Sequence, residues 1–303
     1  MISFPEIKSK IQFIQKRNDV EFYILREDQI HPVISGNKFR KLKYNLEEFS
    51  KGNYDSILTF GGAYSNHISA VAAAGKEFGM KTIGIIRGEE IESKINENPT
   101  LTFAQSCGMK FQFISREQYR NKTNPEFLEG LKLEFGDVFI LPEGGTNELA
   151  VKGCEEILNE KTKEFDFICC PVGTGGTVSG LINSSENHHK VLGFAALKDS
   201  DFLQNEIKKY TFRSNWELVQ DFHFGGYAKV NNELLDFING FKNEFNVTLE
   251  PVYTGKMVFG IFKLIETGFF PAGSKVLAVH TGGLQGIEGM NQKLVQKNKK
   301  KIT

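Results

Sequence analysis

The sequence predicts an α/β architecture: open parallel sheets with helices on both faces, arranged as two domains. Three observations carry this reading. Short apolar runs alternate with stretches of helical periodicity along most of the chain. Runs such as SILTF and KVLGFAAL are apolar at nearly every position rather than at alternate ones, which marks strands covered on both faces. The length, 303 residues, also exceeds what one hydrophobic core usually organises.

Taken in order, strands are expected at 20–26, 56–61, 81–87, 109–115, 137–142, 165–172, 190–197, 216–222 and 275–281. Helices are expected at 66–79, 99–107, 147–159, 231–245 and 255–267. Another begins near Gly36, because apolar positions 39, 42, 46 and 49 share one face. Asn98-Pro99 reads as an N-cap with proline at the first helical position, and Gly108 closes that helix. Gly79 and Gly268 end two others as C-terminal glycines do. Residues 46–149 are assigned to a smaller α/β domain, and 1–45 with 150–303 to a larger one. The terminal KNKKKIT reads as a frayed, solvated lysine run.

Hydrophobic residues at 40% and charged residues at 24% place the chain among soluble globular proteins and away from disorder. Thirty-seven basic side chains balance 37 acidic ones, so no global charge draws the protein to nucleic acid or anionic lipid. No run approaches the ~20 apolar residues of a bilayer-spanning helix. The start, MISFPEIKSKIQF, is charged and interrupted by Pro5, unlike a secretory signal. Cys107, Cys154, Cys169 and Cys170 show no CxxC spacing, and the histidines show no metal-ligand spacing. A cytoplasmic, metal-free protein without nucleic-acid or membrane partners is expected.

Four strand ends are glycine-rich: SILTFGGAYSNH, FILPEGGTN, FDFICCPVGTGGTVSG and KVLAVHTGG. Any one could be a tight turn, but four at the same end of one sheet point to backbone approaching a ligand. The loop Gly173-Thr174-Gly175-Gly176-Thr177 follows a buried strand and opens a helix through Val178, Leu181 and Ile182. Free N–H groups at such a helix start suit a phosphate. Val178 stands where a dinucleotide fingerprint needs its third glycine, and no Gly-Lys-Ser/Thr follows. In Ser35-Gly36-Asn37-Lys38-Phe39-Arg40-Lys41-Leu42, Lys38 falls in a first helical turn. The positive end of the helix dipole there disfavours an ammonium and favours a nucleophilic amine, and Lys41 lies one turn on. The alternative is that Lys38, Arg40, Lys41 and Lys43 solvate an outer helix face.

In this order SGNKFRKLKY, TFGGAYSNHISAVAA, PEGGTNELAVKG, PVGTGGTVSGL, EPVYTGKM and VHTGG resemble the pyridoxal-phosphate (PLP) enzymes of the tryptophan-synthase-β fold type. They look most like the branch holding 1-aminocyclopropane-1-carboxylate (ACC) deaminase and D-cysteine desulfhydrase, over about residues 20–290. The resemblance implies that Lys38 carries the cofactor and moves the Cα proton, and that Asn66 bonds the cofactor's 3′-oxygen. It implies that Gly173 to Thr177 hold the phosphate with Lys41 in support. Ser65 and His67, flanking Asn66, match the place where the family meets the substrate carboxylate. Tyr227, in FHFGGYAKVN, and Tyr253 match two tyrosines near the substrate; ordinary half-buried aromatics are the other reading. Thr281 matches a position at the ring or substrate, or serves the tight turn after its strand.

Thr254 stands where the ACC deaminase pattern has glutamate facing the pyridine nitrogen, or it caps the next helix, or both. A neutral hydroxyl leaves the ring largely unprotonated, which suits β-elimination of D-cysteine more than ring opening of ACC. A PLP-dependent lyase or deaminase of a small amino acid is therefore expected, with ACC deamination as the alternative and a non-catalytic PLP-binding protein as a third reading. Ser69 replaces an arginine that relatives usually carry. Family members are commonly dimers, so a homodimer is expected.

Overall fold

The computed structural model describes residues 4, 7, 9–34 and 36–303; Ser35 of the lysine motif lies outside them. The elements follow in chain order: β1 (Ile11–Arg17), β2 (Val20–Leu25), α1 (Asn37–Lys51), β3 (Ser56–Gly61), α2 (Asn66–Phe78), β4 (Lys81–Arg87), α3 (Pro99–Ser106), β5 (Lys110–Ile114), α4 (Pro125–Phe135) and β6 (Val138–Leu141). The second half continues with α5 (Glu148–Glu155), β7 (Phe167–Val172), α6 (Gly176–Ser184), β8 (Lys190–Ala195), α7 (Phe202–Lys208), β9 (Trp216–Val219), α8 (Asn232–Phe245), α9 (Thr254–Glu266), β10 (Lys275–Val279) and α10 (Gly286–Gln296).

These strands form two sheets. A six-stranded sheet has the order β1-β2-β10-β7-β8-β9, and a four-stranded one the order β5-β4-β3-β6. Every pairing is parallel except β1 with β2. Side-chain alternation splits each sheet's apolar residues between two helical layers. In β7, Ile168, Cys170 and Val172 pack with Cys154, Val178, Leu181, Leu203 and Ile207 from α5, α6 and α7. Cys169, from the other face, joins Leu234, Ile238, Met257, Ile261 and Leu294 from α8, α9 and α10. In the smaller sheet, Ile57, Ile86 and Leu141 face α1, α2 and α3, while Leu58, Phe60 and Ile83 face Leu131 of α4.

Three expectations and one alternative need correction. The glycine loops do not share one sheet: two follow the neighbouring strands β3 and β6, and two follow the neighbours β7 and β10. They face each other across the gap between the sheets, as the 2.6 Å contact of the Thr146 and Thr174 hydroxyls shows. A division at residue 45/46 falls inside α1, whose Phe39, Leu42 and Leu46 pack with the smaller sheet. The face of Arg40 and Lys41 is buried, not solvated.

Nor is the terminal lysine run frayed. Ile302 is buried, and Asn291 bonds both its N–H and its carbonyl, at 2.8 and 2.9 Å. Asn239 does the same for Thr303 N and Lys301 O, at 3.0 and 2.9 Å. Of the elements the pattern did not predict, β1 is a mostly half-exposed edge strand carrying charge, which weakens its apolar signal. No helix among the described residues is long and apolar enough to cross a membrane.

The α1–α5 contact is close because Gly153 carries no side chain: a Cβ there would sit 2.0 Å from the Arg40 carbonyl oxygen. Alanine in a helix interior normally gains up to about 1 kcal/mol over glycine. We expect Gly130→Ala, in α4 with nothing near its Cβ position, to raise the melting temperature. Gly153→Ala should instead cost about 1–3 kcal/mol through overpacking. Thermal melts of the two variants against wild type check the sign of each.

Candidate active site

Lys38 enters the cleft because α1 starts against the turn after β10. Gly36 sits at φ +64°, and a Cβ on it would lie 2.0 Å from the Thr281 carbonyl oxygen. Asn37 N–H donates to that same oxygen at 3.2 Å. Only glycine permits this approach. Lys38 is half-buried in the first turn, with Nζ 3.4 Å from Asn37 Oδ1. Burial, then the neighbouring Lys41 ammonium, pushes the amine down to about 7.

Lys41 is buried and donates to Gly144 O at 3.1 Å and Thr146 Oγ1 at 2.8 Å. Burial lowers it as well. Across from it β7 ends in Gly173 to Thr177, with Gly175 left-handed at φ +86° as the N-cap of α6. Helix geometry leaves the first N–H groups of α6 without intrahelical acceptors, and Gly175 has no side chain to cap them. A Cβ on Gly176 would fall 2.8 Å from Thr146 Cγ2 and 3.2 Å from Lys41 Nζ. Asn37 Nδ2 completes the lacing by donating to Thr177 Oγ1 at 2.8 Å. The result is a bare, cation-flanked cradle at a helix N-terminus.

Ser65 caps α2, its Oγ accepting from Ile68 N–H at 3.3 Å. Asn66 opens the helix toward the HTGG turn, where a Cβ on Gly283 would lie 2.7 Å from its Nδ2. His67 turns inward instead. It is buried, with Nε2 2.8 Å from Thr59 Oγ1. Its Nδ1 is buried without a partner, close to the space beside Gly145. Burial, then Lys38 and Lys41, holds the ring well below the usual histidine range. The Thr59 hydroxyl donates to Leu141 O at 3.0 Å, so Nε2–H donates to Thr59 and the neutral ring leaves Nδ1 as an acceptor.

Tyr253 and Thr254 stand at the start of α9. A Cβ on Gly173 would lie 3.0 Å from the Tyr253 ring, which packs edge-on to Tyr227 at 6.0 Å between centroids. Thr254 is fully buried, and its Oγ1 accepts from Glu250 N–H at 3.0 Å. Thr281 supplies the carbonyl that seats α1.

Sequence reasoning passed over Glu250. Its Oε1 accepts from Tyr253 and Thr254 N–H at 2.6 Å each, and its Oε2 accepts from Val252 N–H at 2.8 Å. Burial pushes this carboxyl up to about 7, against the pull of those three N–H bonds. The signal was present in EPVYTGK, an acid just ahead of a helix start. Asn37, Thr59 and Thr146 were likewise missed as supports.

The sequence model described as "Pyridoxal-phosphate dependent enzyme" matches residues 8–282. The chain belongs to that family. A Thermotoga maritima relative described as "Putative 1-aminocyclopropane-1-carboxylate deaminase" is 30% identical over 94% of this chain and 96% of its own. The Arabidopsis thaliana "Bifunctional D-cysteine desulfhydrase/1-aminocyclopropane-1-carboxylate deaminase, mitochondrial" is 29% identical over 89% of this chain and 74% of its own. A crystal structure of an ACC deaminase homologue superposes with a TM-score of 0.79 at 26% identity, over 97% of this chain and 96% of that one.

This protein is thus a PLP-dependent enzyme, and its residues fit the group. The glycine cradle with Lys41 could take a phosphate, the lowered Lys38 amine an aldehyde, and the Thr254 hydroxyl a ring nitrogen. The buried, unpartnered His67 Nδ1 fits a site built for a polar occupant.

A lysine reacts only as the free amine, so labelling should report its titration. In the apoprotein, reductive methylation of Lys38 by formaldehyde, read by mass spectrometry, should rise through about pH 7 rather than 10.5. Lys41→Met, removing the like charge, should move that midpoint upward. A midpoint in the ordinary lysine range would contradict the burial argument.

Proposed function

We propose that the enzyme catalyses β-elimination of D-cysteine to pyruvate, ammonia and sulfide. When bound, PLP supplies the electron sink for charge developing at the substrate Cα. The chain supplies the rest. Lys38, free as an amine near neutrality, is suited to take the Cα proton, since a base titrating near the working pH is the most effective. The N-terminus of α2 offers the Asn66 and His67 N–H groups to the substrate carboxylate beside the Ser65 hydroxyl, with the neutral His67 ring behind them. Tyr227 and Tyr253 flank the substrate side, and Lys41 with Gly173–Thr177 anchors the phosphate remote from the reacting atoms.

The observation that carries the choice of reaction is Thr254. Its oxygen already accepts from Glu250 N–H, and its nearest acceptor, Glu250 O, is a long 3.4 Å away. The hydroxyl therefore has a proton to offer an unprotonated ring nitrogen. Glu250, the buried acid of this segment, is occupied by three backbone N–H groups. A neutral ring withdraws electrons less strongly, which elimination with a good leaving group tolerates and cyclopropane opening does not. ACC deamination is the second reading, favoured by the activities for which those relatives are named. The proposal includes the homodimer and the cytoplasmic setting expected above.

The test is keto-acid release from D- and L-cysteine, D- and L-serine, β-chloroalanine and ACC. Pyruvate from D-cysteine should form at least about tenfold faster than 2-oxobutyrate from ACC, a difference of about 1.4 kcal/mol in barrier. A faster ACC reaction overturns the proposal. Lys38→Ala should abolish turnover and the visible absorbance of bound cofactor while leaving the far-UV spectrum unchanged.

A further inference from the structure

The segment joining β9 to α8 carries Tyr227 in an unfavourable backbone. Phe224, Gly225, Gly226 and Ala228 all have positive φ, at 54°, 89°, 112° and 55°. Left-handed geometry at two non-glycine residues costs about 1–2 kcal/mol each, so the surroundings must hold it. Within the segment only short-range bonds are made: Gly225 N–H to His223 Nδ1 at 2.9 Å, Gly226 N–H to His223 O at 3.0 Å, and Lys229 N–H to Gly226 O at 3.1 Å.

Phe224 packs on Phe259 at 5.0 Å between centroids, and the outside hydrogen-bond partner is Lys256, in the first turn of α9 two residues after Thr254. Its Nζ donates to His223 O at 2.8 Å and to Gly226 O at 2.7 Å. Lys256 is 2% exposed and has no carboxylate within ion-pair distance among the described residues, the buried Glu250 acting on it only from farther off, so two carbonyls receive its ammonium. A buried cation without a paired carboxylate is poor material for stability, because an apolar side chain of similar volume fills such a space at lower cost. Directional hold on two chosen carbonyls is what an apolar residue could not supply. The second of them, Gly226 O, belongs to the peptide link leading into Tyr227.

We infer that Lys256 is a positioning residue for Tyr227, holding the 223–228 turn so that the phenol stays against Tyr253 at the cleft. One helix start then sets both tyrosines: Tyr253 through its own backbone and Tyr227 through the lysine. This assignment rests on the reading in which Tyr227 meets the substrate.

The experiment uses the holoenzyme with Lys256→Met, Lys256→Arg, Tyr227→Phe and the double variant Lys256→Met/Tyr227→Phe. Hydrogen exchange of the 221–229 amides should quicken about tenfold or more in Lys256→Met and return toward wild type in Lys256→Arg. Cofactor absorbance should not change. The loss in kcat/KM, about tenfold or more, should fall mainly on KM and shrink to less than about twofold in the Tyr227→Phe background. An equal loss in both backgrounds, or unchanged exchange, overturns the inference. Lys256→Gln, which keeps one donor, replaces the methionine variant if that one does not fold. Exchange and absorbance do not depend on which amino acid is turned over. A wild type inactive on the whole substrate panel would therefore defeat the proposed reaction while the exchange comparison still decided the anchor.

Discussion

Two lysines stand one helical turn apart at the start of α1, Lys41 buried and Lys38 half-buried, and the site follows from how their charges are resolved. In a medium of low dielectric both cannot carry charge cheaply. Lys41 has a carbonyl and a hydroxyl as acceptors, at 3.1 and 2.8 Å, while Lys38 has only a long contact with Asn37. The amine with fewer acceptors is the one that gives up its proton. Cys154, which lies near both, does not compensate them, since burial pushes its thiol up to about 11 and keeps it neutral at physiological pH. His67 meets the same field and stays neutral for the same reason. The cleft thus holds one cation at the glycine cradle and one amine that titrates near neutrality.

Such an arrangement is useful only if α1 cannot shift, and the far side of the helix shows how it is held. Arg40 Nε and NH2 meet the two carboxylate oxygens of Glu27 at 2.9 Å each, in a buried fork. Arg26 grips Asp28 in the same way at 2.9 and 2.7 Å, and His280 Nδ1 lies 3.7 Å from Asp28. Buried pairs of this kind add little net stability but are strict about geometry. Glycines complete the seat by contact alone: Gly36 lets the Thr281 carbonyl reach the first turn, and Gly153 lets α5 lie against the Arg40 carbonyl. Charge on one side and missing side chains on the other give the helix a single register.

The parts of this site that were legible in the sequence are those whose signal is local. The glycine loops announced themselves because each strand-to-helix crossing needs bare backbone, and Lys38 because its helix start is marked by Gly36 and an apolar stripe. Long-range consequences were not legible. Nothing local in PEGGTN says that Thr146 will touch Thr174 from another sheet. Nothing in KNKKKIT says that Asn239 and Asn291 will take up its backbone. The burial of Arg40 and Lys41 was hidden for a related reason: a charged run reads as solvated until its counter-groups, 13 and 103 or more positions away, are folded against it. Weak elements such as β1 and α7 were missed where half-exposed or short segments dilute the period.

The start of α9 shows the same principle at finer grain. The position directly after Tyr253 holds threonine, and the acid of this segment stands four residues earlier, bonded to the helix start. Glu250 and Thr254 are reciprocal partners, the glutamate N–H going to the threonine oxygen and the threonine N–H to the glutamate carboxylate. The carboxylate thereby takes up the Tyr253 and Thr254 N–H groups at the helix start, while the Gly255 N–H goes to the Glu250 carbonyl at 2.8 Å. Burial lifts this acid toward neutrality, while its three N–H partners favour the ionised form. Each of its oxygens already accepts backbone N–H, two on Oε1 and one on Oε2. The group at this helix start still holding a proton to give is therefore a neutral hydroxyl, and a hydroxyl can hydrogen-bond a ring nitrogen without protonating it. Under the proposed reaction, the electronic character of the cofactor ring would follow from how the start of α9 is bonded.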